Sequence, residues 1–345
     1  MEAAEQLKAL PTLLLPWFAE NRRELPWRKD REPYHVWLSE IMLQQTRVEA
    51  VRNYYTRFLA ALPDIAQLAQ ASPDTLNKLW EGLGYYSRVR NLQAAAKEIM
   101  STYKGRFPER YEDIRALKGI GDYTAGAIAS ICFGQPTPAV DGNVLRVIAR
   151  LTGDARPVNE DATKAAVREA LRVIYPKQHC GDFTQSLMEL GATVCVPNGK
   201  PHCEVCPLKD ICSSSDGGWS SLPVKTAKRP RRTEEKTVFV LRCGEKTAVR
   251  KRAGTGLLAG LWELPNTEGY LDTAQALSLA AQWGVSPLHP ERVLERTHIF
   301  THVEWHMRCF FLQCGTENGL FTWADPARMA REIALPTAFK IFYEE

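Results

Sequence analysis

Apolar positions recur at helical spacing through the first part of the chain. Leu13, Leu14, Trp17 and Phe18 form one stripe, and Val36, Ile41, Leu43, Val48 and Val51 form another. Prolines at 26, 33, 63, 73, 108, 136, 138, 157 and 176 punctuate this pattern, which predicts many short helices. Long alternating strand patterns are absent up to about residue 215. Residues 213–224 (SSSDGGWSSLPV) are small and polar, and 225–232 (KTAKRPRR) are basic. Beyond them the period changes. Thr237–Cys243, Thr247–Arg252 and Trp305–Leu312 read as strands, and Asp272–Trp283 and Asp325–Ile333 as helices. The pattern therefore predicts a mostly α domain over 1–215, a basic linker over 216–233 and an α+β domain over 234–345. No internal repeat is visible.

Length agrees with this division, because 345 residues can bury two cores. Hydrophobic residues at 45% and charged residues at 24% describe a soluble globular chain. No apolar run reaches the roughly 18 residues a membrane helix needs, and the N-terminus lacks a secretory pattern. The expectation is a cytoplasmic, bacterial-type intracellular protein. Net charge is only +4, and the surplus is local: Lys225, Lys228, Arg229, Arg231 and Arg232 lie close together. Any nucleic-acid contact must then come from placed groups, not from a bulk basic field.

Four of the nine cysteines, Cys195, Cys203, Cys206 and Cys212, are clustered, and the others are scattered. That distribution argues for a metal site in a reducing compartment, not a disulfide framework. By spacing alone, four thiolates suit tetrahedral zinc or a 4Fe–4S cluster. Elsewhere, Leu117-Lys118-Gly119-Ile120-Gly121-Asp122-Tyr123-Thr124-Ala125 lies between two helical stretches. Gly119 and Gly121 permit a tight turn with positive φ, and a helix N-terminus after such a turn can hold a phosphate. Asp141, in Val140-Asp141-Gly142-Asn143-Val144, opens another helical run, where an Asp ordinarily caps the helix. Glu40 sits mid-helix between Leu38 and Ile41. It is either a surface carboxylate paired with Arg47 or Lys29, or a desolvated acid with a raised pKa.

The hairpin followed by Asp141 resembles the helix–hairpin–helix DNA glycosylase superfamily, and the resemblance covers residues 10–215. Ser39-Glu40-Ile41-Met42-Leu43-Gln44-Gln45-Thr46 and Gly82-Leu83-Gly84-Tyr85-Tyr86-Ser87-Arg88 are similar to its adenine glycosylase branch, the MutY family. The resemblance implies removal of adenine mispaired with 8-oxoguanine in double-stranded DNA, by a protein acting as a monomer. It makes Glu40 the acid that protonates adenine N7. Asp141 stabilises the developing cation, as an ion or a transient covalent partner, while Asn143 and Tyr123 arrange these groups. Arg23, Trp27, Arg28, Leu43 and Gln185 line the adenine pocket. Gln45, Thr46, Leu83 and Tyr85 probe or wedge beside the opposite base, and Gly119 and Gly121 hold the DNA backbone. The related endonuclease III branch carries a Schiff-base lysine where this chain has Tyr123, so the resemblance implies a glycosylase without strand cleavage; Lys118 is the nearest amine.

The same resemblance assigns the four cysteines to a 4Fe–4S cluster with a structural role. The first gap, Val196 to His202, is one residue longer than the family's usual six, and Asn198-Gly199 can absorb it as a turn. The C-terminal stretch Gly256–Pro265 resembles the approach to the helix of a Nudix fold. The helix that follows, Thr273–Trp283, has no carboxylate to bind metal, which implies the fold without the hydrolase chemistry. Phe300-Thr301-His302 is similar to the family's Phe-Ser-His loop, with Thr in place of Ser. It implies a hydroxyl that reads 8-oxoguanine.

Overall fold

A computed structural model describes residues 2–227 and 230–345, so Lys228 and Arg229 of the basic run lie outside the described residues. By contacts the chain divides into two compact units, Met1–Gln70 with Asn91–Ala227, and Ala71–Arg90 with Lys228–Glu345. Up to residue 227 every regular element described is helical: α1 (Ala3–Asn21), α2 (Pro33–Leu43), α3 (Val48–Ala61), α4 (Ile65–Gln70), α5 (Pro73–Leu79), α6 (Ser87–Thr102), α7 (Tyr111–Ala116), α8 (Asp122–Phe133), α9 (Gly142–Thr152), α10 (Asp161–Ile174) and α11 (Cys180–Thr193), with short 3-10 turns between. No helix among the described residues is long and apolar enough to cross a membrane.

Two details differ from the apolar pattern. In α1 the buried stripe is Leu7, Leu10, Leu14 and Phe18, while Leu13 and Trp17 are half-buried. Pro11 and Pro16 lie inside this helix, each removing a backbone hydrogen bond. Packing overrides that cost: Leu7, Leu10 and Leu14 join Val144, Ile148, Leu171, Leu187 and Leu190 of α9–α11 in one core. The Gln6 amide also donates to Leu151 O (3.0 Å), Ile211 O (2.7 Å) and Ser213 Oγ (2.9 Å). Second, the stripe from Val36 to Val51 is not one helix. It breaks at 44–47, where Gln45 takes φ +58°, and this break carries Gln45 and Thr46.

The hairpin forms between α7 and α8. Only one of its two glycines uses the left-handed region. Gly119 has φ +80°, and a Cβ there would lie 2.6 Å from Asn91 Cβ; Gly121 is the extended N-cap of α8, with φ −96°. Residues 219–227, expected as linker, are fastened to the first unit. Arg150 Nε donates to Leu222 O at 2.9 Å, Val158 N to Val224 O at 3.0 Å, and Thr226 N to Asn159 Oδ1 at 2.9 Å.

The second unit is a mixed sheet covered by helices. Besides α5, its elements are β1 (Arg232–Cys243), β2 (Lys246–Lys251), β3 (Trp262–Glu263), β4 (Asn266–Glu268), α12 (Thr273–Gln282), β5 (Pro287–Ile299), β6 (Val303–Cys314), β7 (Thr322–Ala324), α13 (Pro326–Arg331) and α14 (Thr337–Tyr343). The main strand order is β3-β2-β1-β6-β5, with β4 on β1 and β7 on β2; β1 and β6 are parallel. Val238 and Val240 face one core with Trp305, Phe339 and Phe342, while Phe239 and Leu241 face another with Ala276 and Phe310. Both faces of β1 are thus buried, and its centre reads as a continuous apolar run. The expected strands and helices all form. β3, β4, β5, β7 and α14 lie beyond the expected set. Asp272, beside the carboxylate-free α12, is occupied in a capping box with Gln275.

Candidate active site

Glu40 is brought in by α2, whose residues 36–42 are all buried, and the Glu40 carboxylate is only 7% exposed. It is therefore not the surface partner of Arg47 or Lys29. Tyr123, in the first turn of α8, donates its hydroxyl to Glu40 Oε2. Burial pushes the Glu40 carboxyl up to about 7. The Tyr123 hydrogen bond and the Arg28 charge oppose that rise, and the Asp141 charge adds to it.

Asp141 does cap α9, accepting from Val144 N at 2.8 Å, and it does more. Its second oxygen accepts from Asn143 Nδ2 at 2.8 Å. Burial raises its pKa as well, while the bonds from Val144 and Asn143 and the Arg146 charge favour the ionised form. Asn143 is itself held: Arg146 Nη2 donates to Asn143 Oδ1 at 2.9 Å and to Gly191 O at 2.7 Å, and Arg146 Nε to Cys195 O at 2.8 Å. Gly191 lets α11 approach α9, since a Cβ there would lie 2.6 Å from Asn143 Cβ.

One cavity of about 1210 Å³ gathers these groups with Arg23, Trp27, Arg28, Leu43, Gln45, Thr46 and Gln185. A second cavity, about 760 Å³, shares Arg23, Trp27, Arg28 and Gln185 but is lined by neither Glu40 nor Asp141. Lys118 is exposed and is not among the lining residues.

Sequence reasoning missed Glu189 in the same cavity. It is 1% exposed and accepts from Arg23 N (3.0 Å), Arg23 Nε (2.7 Å), Arg23 Nη2 (2.9 Å) and Arg28 Nη2 (2.9 Å). Burial opposes its charge, but these bonds outweigh burial and hold the carboxyl at about 2. Its position among Leu187, Met188 and Leu190 was the available signal: a charge inside an apolar stretch needs partners. Trp219, Leu222 and Lys225 of the expected linker also line the cavity.

Cys195, Cys203, Cys206 and Cys212 line one small void of about 30 Å³. Arg150 Nη1 donates to Cys195 Sγ at 3.4 Å, and Cys195, Cys206 and Cys212 pack against the α1/α9–α11 core. Gly199 takes φ +76°, the left-handed backbone of a tight turn between Cys195 and Cys203. Among the described residues no group of Cys, His, Asp or Glu is arranged to hold a metal ion. Four thiols around one void, with the Arg150 cation beside Cys195, are a donor set that fits a group with four thiolate ligands.

The other expected residues lie in the second unit. Leu83 is buried and Tyr85 is 46% exposed. Phe300, Thr301 and His302 form the tip between β5 and β6, where Phe300 N donates to Val303 O at 2.8 Å.

Residues 38–177 match the family model of HhH-GPD superfamily base excision DNA repair proteins, and residues 237–345 match a NUDIX domain. The chain is 33% identical over 404 residues to the adenine DNA glycosylase of Rattus norvegicus, across 96% of this chain and 77% of that protein. It is 34% identical over 392 residues to the adenine DNA glycosylase of Homo sapiens, across 94% and 70%. Among solved structures, a thermostable thymine-DNA glycosylase aligns with a TM-score of 0.56 at 29% identity, covering 61% of this chain and 97% of that one.

Proposed function

The chain belongs to the adenine DNA glycosylases, within the HhH-GPD base excision repair superfamily, and from that premise we propose that it hydrolyses the N-glycosidic bond of adenine mispaired with 8-oxoguanine, or guanine, in double-stranded DNA. The observation that carries the proposal is a pair of carboxylates in one cavity with different surroundings. Glu40, raised to about 7, keeps a proton near neutral pH and gives it to adenine N7, so the base leaves without negative charge. Asp141 accepts two hydrogen bonds that favour its ionised form and stabilises the oxocarbenium-like sugar, as an ion or a transient covalent partner. Water adds to the sugar carbon and its proton returns to Glu40.

Extruding the adenine requires a pocket that recognises it. Trp27, Leu43 and Gln185 supply walls and an amide, and Glu189, fixed by Arg23 and Arg28, supplies a carboxylate of settled charge. The site residue at the position of the endonuclease III lysine is a phenol, and Lys118 does not line the cavity, so strand cleavage by imine chemistry lacks its usual nucleophile. The four cysteines would hold a 4Fe–4S cluster, which when bound supplies a rigid anchor for the loop beside α9. Iron, and not zinc, in purified protein is the check on that ligand set. Gln45, Thr46, Leu83, Tyr85 and the Phe300-Thr301-His302 loop would probe the base opposite adenine, Gly119 and Gly121 would meet the DNA backbone, and the enzyme would act as a monomer on intracellular DNA.

The test is single-turnover excision on duplexes with adenine opposite 8-oxoguanine, guanine, cytosine or thymine. Excision opposite 8-oxoguanine and guanine, with no alkali-independent strand break, is expected. Equal rates on all four duplexes would refute the mispair assignment, and no excision from any would refute the reaction.

A further inference from the structure

Two of the cysteines outside the clustered four meet in the second unit. β1 and β6 run parallel, with Phe239 opposite Phe310, Leu241 opposite Leu312 and Arg242 opposite Gln313. One step further along both strands brings Cys243 opposite Cys314, at the ends of β1 and β6. Side chains alternate along a strand, so Cys243 shares a face with Phe239 and Leu241, and Cys314 shares one with Phe310 and Leu312. All six belong to one core, where Cys314 is buried and Cys243 is half-buried. Cys309, on the same strand as Cys314, faces the opposite core. Both backbones are pinned. Cys243 pairs with Lys246 across the turn into β2, where Gly244 takes φ +57°. Cys314 pairs with Pro287 of β5, and Gly315 N donates to Ser286 O at 3.2 Å. Adjacent strands lie about 4.8 Å apart, inside the roughly 4.4–6.8 Å that separates Cα atoms across a disulfide. The two sulfurs also feel each other. Burial, and then a charge on Cys243, push the Cys314 thiol up to about 11, and a hydrogen bond with the Arg242 backbone opposes that rise.

We propose that Cys243 and Cys314 are an oxidation site, a dithiol that closes reversibly to a cross-strand disulfide and is separate from the cysteine loop of the first unit. A small-molecule disulfide such as glutathione disulfide supplies the oxidising equivalents. Cys243 is the more accessible of the two, so its thiolate attacks one sulfur of that disulfide. A mixed disulfide forms and one glutathione thiolate leaves. Cys314 then loses its proton to solvent, its thiolate attacks the Cys243 sulfur, and the second glutathione leaves as a thiolate. The protein gives up two electrons and two protons, and the reagent becomes two thiols. Because burial keeps Cys314 protonated, the second step is the slower one. The strand spacing lies at the short end of the disulfide range, which strains the closed bond and leaves it open to reduction by excess thiol. Closure makes no demand on Glu40 or Asp141, and the 300–302 tip lies at the other end of β6.

The experiment equilibrates the full chain, as purified, in glutathione buffers that run from fully reduced to mostly disulfide. Samples are quenched with acid, alkylated and digested with trypsin, and the fragments are weighed. In disulfide-rich buffer a link is expected between fragments 243–246 and 309–328, with a mass lower by two hydrogens and the bond placed at Cys314 by fragmentation. Excess glutathione should remove it. Cys314→Ser should stop at the mixed disulfide, with glutathione retained on Cys243, and Cys243→Ser should leave Cys314 as a free thiol. The parent chain carries the decisive measurement, so a variant that fails to fold does not weaken the test. Three outcomes in the parent would each overturn the proposal: both cysteines alkylated in every buffer, glutathione retained on Cys243 with no link, or a link from Cys243 to Cys309.

Discussion

On the proposed mechanism, Glu40 sets the pH behaviour of the site. Its folded pKa of about 7 lies above the ordinary 4.5, so its acid form is available below about pH 7 and is lost above it. Asp141 must be ionised, so excision is expected to fall on both sides of a maximum, with Glu40 on the alkaline limb. Tyr123→Phe removes a hydrogen bond that lowers the Glu40 pKa, and a pH–rate profile should show that limb displaced to higher pH. Glu40→Gln should lose about 10²- to 10⁴-fold in excision rate. The same shift has a stability consequence. A raised folded pKa contributes stability below about 4.5 that disappears as pH rises through 7, on the order of 3 kcal/mol for a shift of this size. Thermal unfolding should therefore find Glu40→Gln more stable than the parent at pH 8, with the gap closing toward pH 5. At this scale the sequence was informative where motif and burial agreed, as for Glu40 in an apolar helix. It was silent on Glu189, because the two arginines that hold its charge lie 161 and 166 residues away in the chain.

At the scale of elements, the site depends on how closely α11 meets α9. Gly191 faces Asn143 with no room for a methyl group, the nearest distances being 2.6 Å to Cβ and 3.2 Å to Cα and O. Two of these three atoms are backbone, so relief requires α9 to move, and with it the N-terminus that Asp141 caps. Gly191→Ala is expected to lower excision at least about tenfold while costing about 1–3 kcal/mol, the usual range for overpacking; kinetics and thermal melts on one sample separate the two. The hydrophobic pattern showed that the first part of the chain is helical, and it showed β1, β2, β6, α12 and α13 beyond it, because these have one clear period or a solid apolar core. It hid the break at 44–47, where the stripe from Val36 to Val51 continues across a gap of four residues. It also hid β5: Glu291, Arg292, Glu295 and Arg296 interrupt any apolar alternation there, and the strand is stabilised by pairing along β6.

For the whole molecule, the division of labour is less linear than the chain suggests. Residues 71–90 lie inside the sequence matched by the glycosylase family, yet by contacts they belong with 228–345. Lys78 Nζ donates to Ile333 O at 3.0 Å and Met329 O at 3.3 Å, Leu335 N donates to Glu81 Oε1 at 3.1 Å, and Arg90 Nη1 donates to Ala259 O at 3.0 Å. Truncation after Ala227 removes every one of these partners. The expected outcome is a joint loss of thermal stability, excision rate and preference for 8-oxoguanine. Thr301→Ala, by contrast, should narrow the preference with little change in the thermal midpoint. Melting curves and excision ratios measured on both proteins check this.

The Gln6 amide reaches Ile211 and Ser213, 205 and 207 residues along the chain. On a ribosome, then, α1 emerges long before the last of its partners. At about 5–20 residues per second, Leu7, Leu10 and Leu14 wait roughly 7–40 s for α9–α11 to be made. Such an interval favours capture by a chaperone over unaided collapse. Nascent chains stalled before Ser213 should be cut readily within α1 by a pulse of protease, and chains stalled well beyond it should resist. Helix α1 would thus serve as the latch that closes the glycosylase unit after its cysteine loop has been made.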